Sequence, residues 1–320
     1  MGFDPGIENP IIPFMQTEYF HLATSEEYRT QLYAWLPDDE PRIIIHIVHG
    51  MAEHAKRYAA IAAKFTEDGY AVFANENRAH GTAVKSVAEL GIGEANWYYK
   101  QIEDLKIIIN YLHQRFPGKP VFLFGHSMGS FLCQRYFQLY GKNLQGLILS
   151  ATNGQPDPLL NLGVAIAYIQ YKACGTWHRS ALINKLSFGK FNSKFKPNRT
   201  NHDWLSRDET EVDKYVADKR CGFVCSAGFF YYFFKGLRDT FKELNLKAMP
   251  RDIPVYCFAG SEDPVGFEGK GFLMLIRTWQ KAGIRDIEYK LYQNGRHEML
   301  NETNRAEVLS DLERWLAKHK

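Results

Sequence analysis

Long apolar runs are missing from this 320-residue sequence. None approaches the ~20 residues that a membrane-spanning helix needs. Cysteine is scarce and unpatterned: the five, at 133, 174, 221, 225 and 257, are odd in number and lack framework spacing. That argues against a disulfide scaffold. Cys221 and Cys225 have no second pair or histidine cluster nearby in the sequence, so no metal is expected. Charge of one sign is also missing. With 39 Lys and Arg against 36 Asp and Glu the net charge is +3, too little to point to nucleic acid. Met1-Gly2-Phe3-Asp4-Pro5 begins neither a basic segment nor an apolar one, so no signal peptide is expected, and the cytoplasm is the expected compartment. What is present is ordinary globular composition, 45% hydrophobic and 23% charged. A chain of this length buries a full core without staples.

The most informative stretch runs from Val121 to Ser130. Val121-Phe122-Leu123-Phe124 reads as a buried strand, and Phe131 to Phe137 reads as a helix. Between them stands Gly125-His126-Ser127-Met128-Gly129. Strand, sharp turn and helix with a serine at the turn is the context of a nucleophile elbow. The small residues two before and two after the serine avoid a backbone clash. The helix N-terminus favours a developing anion.

Before the elbow, Glu18–Ala23 and Tyr28–Leu36 read as two half-exposed edge strands. Arg42–Val48 and Tyr70–Ala74 read as buried strands, Tyr58–Asp68 and Trp97–Arg115 as helices. After it come strands Leu144–Ser150, Ile253–Ala259 and Ile287–Tyr292. Such alternation predicts an α/β fold, a mostly parallel sheet with helices on both faces. It breaks off between residues 153 and 249, which read as a helical insertion with 15 Lys and Arg against 9 Asp and Glu. The expected core is therefore residues 1–152 and 250–320. The insertion begins with a loop holding Pro156 and Pro158 and contains the aromatic run Phe223–Phe234.

A serine hydroxyl is a poor nucleophile unless a base takes its proton and an acid orients the base. In the α/β-hydrolase order these follow as acid, then histidine. Asp263 sits just after strand Ile253–Ala259, and His297 just after strand Ile287–Tyr292. Loops at the carboxyl ends of parallel strands are where such folds place their sites. Ser127 is the expected nucleophile, His297 the base and Asp263 the orienting acid, with Glu262 as an alternative acid. His126, His178, His202 and His319 are weaker candidates for the base. The N–H groups of Met128 and of Met51, in the loop after strand Arg42–Val48, are the expected oxyanion donors.

His49-Gly50-Met51-Ala52-Glu53-His54 with Arg57-Tyr58, the elbow, Gly260 to Val265, and Arg296-His297-Glu298-Met299-Leu300-Asn301-Glu302 together resemble the monoacylglycerol lipase and bacterial lysophospholipase family of serine hydrolases. That group is also labelled serine aminopeptidase S33-like. One loop departs: Glu76-Asn77-Arg78-Ala79-His80-Gly81 has Glu76 and Ala79 where the family has Asp and Gly. The resemblance implies a helical cap at 153–249 above Ser127, and no metal or organic cofactor. It also implies a carboxylic ester with one acyl chain as substrate, a monoacylglycerol or a lysophospholipid. Phe223, Phe229, Phe230 and Phe233 are candidate acyl-pocket residues, with plain packing as the other reading. Lys190, Lys194, Lys196 and Arg199 read first as a solvated basic loop and second as a contact for anionic lipid. An amide-cleaving enzyme, a short-chain esterase and a non-catalytic binding module stay open, as does transient contact of the cap with a membrane surface.

Overall fold

The computed structural model describes residues 15–154 and 159–320. The Pro156–Pro158 loop lies outside them. Eight strands form one sheet among the described residues, in spatial order β1-β2-β4-β3-β5-β6-β7-β8. β1 (Gln16–Ala23) and β2 (Arg29–Leu36) pair antiparallel, and β2 also pairs antiparallel with β4 (Tyr70–Asn75). From β4 through β3 (Ile43–Val48), β5 (Val121–His126), β6 (Gly146–Ser150), β7 (Val255–Gly260) and β8 (Ile287–Tyr292) every pairing is parallel. The mostly parallel sheet is as the sequence predicts.

In every strand but β1, alternate residues enter two cores, because side chains point to opposite faces with period two. In β3, Ile43, Ile45 and Ile47 pack on one face, against α1 (Ala59–Glu67) and α10 (Arg305–His319). Ile44 and Val48 face the other core, built from α2 (Trp97–Arg115), α3 (Met128–Tyr140) and α9 (Lys270–Ala282). β2 behaves in the same way, with Leu32 and Ala34 in one core and Tyr33 and Trp35 in the other. It is therefore an interior strand, and only β1 lies at that edge. The loose alternation in its sequence misleads because polar Thr30 and Gln31 stand beside five buried or nearly buried residues.

The chain leaves β3 through α1 toward β4 on one side and leaves β5 through α3 toward β6 on the other. The carboxyl ends of β3 and β5 thus flank a topological switch point, where open parallel sheets hold ligands.

Between β6 and β7 the chain forms α4 (Leu160–Cys174), α5 (Ala181–Phe188), α6 (Glu209–Ala217), α7 (Ala227–Thr240) and α8 (Glu243–Lys247). The aromatic run is helix α7, started by Ser226, whose Oγ accepts the Phe229 N–H at 3.1 Å. Helical spacing sends its rings different ways. Phe229 is wholly buried and stacks on Trp97 at 4.1 Å, and the Trp97 indole N–H donates to its carbonyl at 3.0 Å. This ring fastens the insertion to α2 and lines neither cavity at Ser127, which corrects its assignment to an acyl pocket. Two cations of the basic loop are paired: Lys194 meets Glu268 at 3.3 Å and Arg199 meets Asp213 at 2.6 Å. Among the described residues, no helix is long and apolar enough to cross a membrane.

Phe229→Ala should cost about 3–5 kcal/mol of stability, the usual cost of truncating a buried phenylalanine. Urea denaturation against the parent protein measures it. A loss below about 1 kcal/mol would mean that Phe229 does not hold the insertion to the core.

Candidate active site

Ser127 follows β5 directly and has φ 50° and ψ −119°, in a left-handed region that non-glycine residues avoid. Such strain costs on the order of 1–3 kcal/mol and persists only where the surroundings enforce it. Here they do. The Ser127 N–H continues the β5–β6 ladder by donating to the Ser150 carbonyl at 3.0 Å, while Met128 already begins α3. A Cβ on Gly129 would lie 2.0 Å from the Val48 carbonyl oxygen, and one on Gly125 would lie 2.7 Å from the Gly129 oxygen. Both glycines are there because backbone passes where a side chain would stand.

The fold brings three of the expected residues into one hydrogen-bonded relay. His297 Nε2 is 2.9 Å from Ser127 Oγ, and His297 Nδ1 is 2.9 Å from Asp263 Oδ1. With Asp263 ionised, Nδ1–H donates to it, which leaves Nε2 to accept the serine proton. Asp263 is wholly buried and its Oδ1 also accepts the Val265 N–H at 2.9 Å. Glu262, the alternative acid, makes no side-chain bond to His297 and is half-exposed. Burial pulls the His297 imidazole down, but the Asp263 carboxylate, with help from Glu298 and Glu53, more than offsets this and the net shift is upward. His126 is held at about 4, first by burial and then by the facing His297. It stays neutral, bonded to Ser150 Oγ at 3.1 Å.

The loop after β3 is fixed one amide at a time. The Gly50 N–H donates to Glu53 Oε1 at 2.5 Å, and the Ala52 N–H donates to His80 Nε2 at 3.1 Å. The Met51 N–H stands between these two anchors. Among the described residues neither it nor the Met128 N–H has a protein acceptor. His80 is oriented by the Arg78 carbonyl at 2.9 Å, and His49 Nε2 accepts the Asn77 N–H at 3.0 Å. The 76–81 loop therefore holds the 49–54 loop. Its unusual Glu76 fits: it accepts from Tyr33 at 3.1 Å and from the Ala55 N–H at 3.3 Å.

Sequence reasoning gave no role to the ions behind the relay. Arg57 is nearly buried between two carboxylates, at 2.6 Å from Glu53 and 2.7–2.8 Å from Glu298. Burial alone would raise both acids, but the guanidinium reverses it, holding Glu53 at about 2 and Glu298 below its ordinary value. Glu53 and Arg57 stand four residues apart, which hints at their pairing, but nothing in the sequence joins Arg57 to Glu298. Trp204 was missed as well. Its ring lies 4.9 Å from that of His297, and the Glu298 N–H donates to the Leu205 carbonyl at 2.7 Å. Glu302 binds Arg207 at 2.9 Å, so the insertion rests on the loop that carries the histidine.

Two cavities meet at Ser127, and Met51, Phe188 and Val265 line both. One, of about 360 Å³, is apolar and is lined by Phe131, Ile166, Leu186, Phe230, Phe233 and Phe241 among others. The other, of about 400 Å³, is the more polar of the two: Asn184, Asn192, His202, Glu53 and Glu298 line it beside Trp204, Leu205 and Tyr215. Phe230 and Phe233 thus line the apolar cavity and Phe223 the polar one. Two groups of metal-ligating side chains occur among the described residues, and neither includes Ser127, His297 or Asp263.

Arg57→Ala should cost about 3–5 kcal/mol, because it leaves two carboxylates buried side by side. Arg57→Lys should recover only part, since an ammonium cannot fork to both acids. Thermal unfolding of the two variants checks this, and full recovery by lysine would contradict it.

The family described as serine aminopeptidase, S33 matches residues 39–304. The chain is similar to the monoacylglycerol lipase of Mycolicibacterium smegmatis, 26% identical and covering 89% of this chain and 91% of the relative. It is also similar to the monoglyceride lipase of Homo sapiens, 25% identical and covering 93% of this chain and 89% of the relative. Among solved structures it resembles a highly thermostable carboxyl esterase from Bacillus coagulans in complex with glycerol. The TM-score is 0.86 and the identity 26%, over 96% of this chain and 99% of that one. The fold is the α/β-hydrolase fold. Matched from before β3 to the start of α10, with the whole relay inside the match, the chain belongs to the serine aminopeptidase S33 family of hydrolases.

Proposed function

We propose that this carboxylic ester hydrolase uses Ser127, His297 and Asp263 as a catalytic triad on esters with one acyl chain and a small neutral head, such as a monoacylglycerol. The observation that carries the reading is the relay at the junction of an apolar and a polar cavity. An acyl chain along Phe230 and Phe233 puts its carbonyl at Ser127 and its alcohol among the polar groups. Ser127 Oγ attacks the carbonyl as His297 Nε2 takes its proton. The oxyanion is held by the Met51 and Met128 N–H groups at the start of α3. Collapse expels the alcohol, which takes the proton from His297. Water then attacks the acyl-serine as His297 takes its proton; collapse breaks the bond from the acyl carbon to Ser127 Oγ, releases the carboxylic acid and returns the proton from His297 to Ser127, with Asp263 stabilising the imidazolium each time it forms.

Residues 153–249 act in this reading as a cap on a core of 1–152 and 250–320. The exposed Leu159, Leu162, Leu186 and Phe267 at the mouth of the apolar cavity support transient contact with a lipid surface. Three rival readings are less well supported. A lysophospholipid brings a phosphate, yet no Lys or Arg lines the polar cavity among the described residues, whereas Glu53 and Glu298 do. An aminopeptidase needs a carboxylate for the substrate amine, and both of these are already bound to Arg57. A binding module has no need of a strained serine bonded to a carboxylate-held histidine.

Ser127→Ala should lower kcat on long-chain 1-monoacylglycerol on the order of 10⁶-fold. Retained activity would sink the mechanism. The parent enzyme should prefer that substrate to lysophosphatidylcholine of equal chain length and to aminoacyl anilides. The reverse order would overturn the headgroup reading. Protonated His297 cannot take the serine proton, and its pKa is raised. The acid limb of log kcat/KM should therefore bend above the ordinary histidine value of 6.5. A bend well below 6.5 would contradict the relay.

A further inference from the structure

One residue beyond Glu53, a different set of side chains converges. His54 Nε2 is 2.7 Å from Asp218 Oδ2, and the donor atoms of His54, Asp218 and Cys221 all lie within 4.8 Å of one another. His54 is buried, while Asp218 and Cys221 are half-buried. His54 comes from the loop after β3. The other two come from the segment after α6, 164 residues further on in the case of Asp218. Cysteine spacing alone could not show this grouping.

The backbone that carries these ligands is already fixed. Asp218 Oδ1 accepts the Arg220 N–H at 2.7 Å, and the Cys221 N–H donates to the Asp218 carbonyl at 2.9 Å. The Gly222 N–H and the Tyr215 hydroxyl both donate to the Ala52 carbonyl at 2.9 Å. Arg220 reaches the Gly81 carbonyl at 2.6 Å. The ordering that a metal site must otherwise supply on binding is therefore largely in place. The nearby Arg57 charge is matched by Glu53 and Glu298.

We infer that His54, Asp218 and Cys221 form a binding site for Zn²⁺, which clamps the insertion onto the loop that carries Met51. One nitrogen, one oxygen and one sulfur donor suit a borderline-soft ion, and thiolate is a poor ligand for Mg²⁺ or Ca²⁺. Three protein ligands leave a fourth tetrahedral position for water. Zn–N and Zn–O bonds of about 2.0–2.2 Å with Zn–S of about 2.3 Å require donor atoms roughly 3.3–3.7 Å apart. The His54–Asp218 contact of 2.7 Å must open to that spacing, and no donor atom of the three starts more than 4.8 Å from another. The ion displaces the Cys221 thiol proton, which passes to buffer.

The test uses the full chain, stripped with chelator and titrated with Zn²⁺ by calorimetry and with Co²⁺ by absorbance. The expected result is one site of micromolar affinity or tighter, with a thiolate-to-Co²⁺ charge-transfer band. Cys221→Ala should abolish the band, and it and His54→Ala should each weaken Zn²⁺ at least tenfold. His319→Ala, in the other cluster of Asp286, Glu288 and His319, should change neither. Zn²⁺ affinity unaffected by Cys221→Ala, or lost in His319→Ala, would overturn the proposal. Absence of the band in the parent protein would overturn it too, even if a variant fails to fold.

Discussion

The site depends on one nearly buried cation. Arg57 lies between Glu53, in the loop after β3, and Glu298, beside His297 in the loop after β8. These loops are far apart in the chain and leave the sheet from strands that are not neighbours. Glu53 passes the constraint to the Gly50 N–H, and so to the amide that follows it. Glu298 passes it to His297, whose Nε2 is 2.9 Å from Ser127 Oγ. A buried ion cluster is weak evidence for stability, since desolvation can exceed the Coulombic gain. Its value here is geometric: it ties the 49–54 loop to the loop that carries His297.

Sheet topology supplies the rest. The switch between β3 and β5 places the 49–54 loop on one side of Ser127, and β7 and β8 bring Asp263 and His297 to the other. The insertion then divides the space above the serine into an apolar and a polar cavity. α7 does this by turning Phe229 into the α2 interface while Phe230 and Phe233 face the apolar space. Arg207 and Trp204 seat the same insertion on the loop that carries His297, so the two are positioned together.

Much of this was legible in the residues. Strand periodicity, the elbow glycines and the order Ser127, Asp263, His297 require only local pattern and known turn geometry. Glycine at 125 and 129 is dictated by atoms within a few residues or on the adjoining strand. What was not legible depends on long-range packing. β2 is interior because β1 covers it, a fact about partners rather than about its own alternation. Phe229 and Phe230 are chemically identical neighbours, and only the helix phase against Trp97 separates a structural ring from a cavity ring. Arg57 pairs with Glu298 across 241 residues, a span over which charge patterning in sequence carries no information.

The central claim is that the strained Ser127, activated by His297, takes the acyl group of a long single-chain ester. The most direct measurement is peptide mass spectrometry after brief treatment with a long-chain alkyl fluorophosphonate at limiting concentration. The account predicts one stoichiometric adduct on Ser127, formed faster than with a methyl analogue and slowed by excess 1-monoacylglycerol. No adduct on Ser127, or labelling that neither chain length nor monoacylglycerol changes, would contradict it.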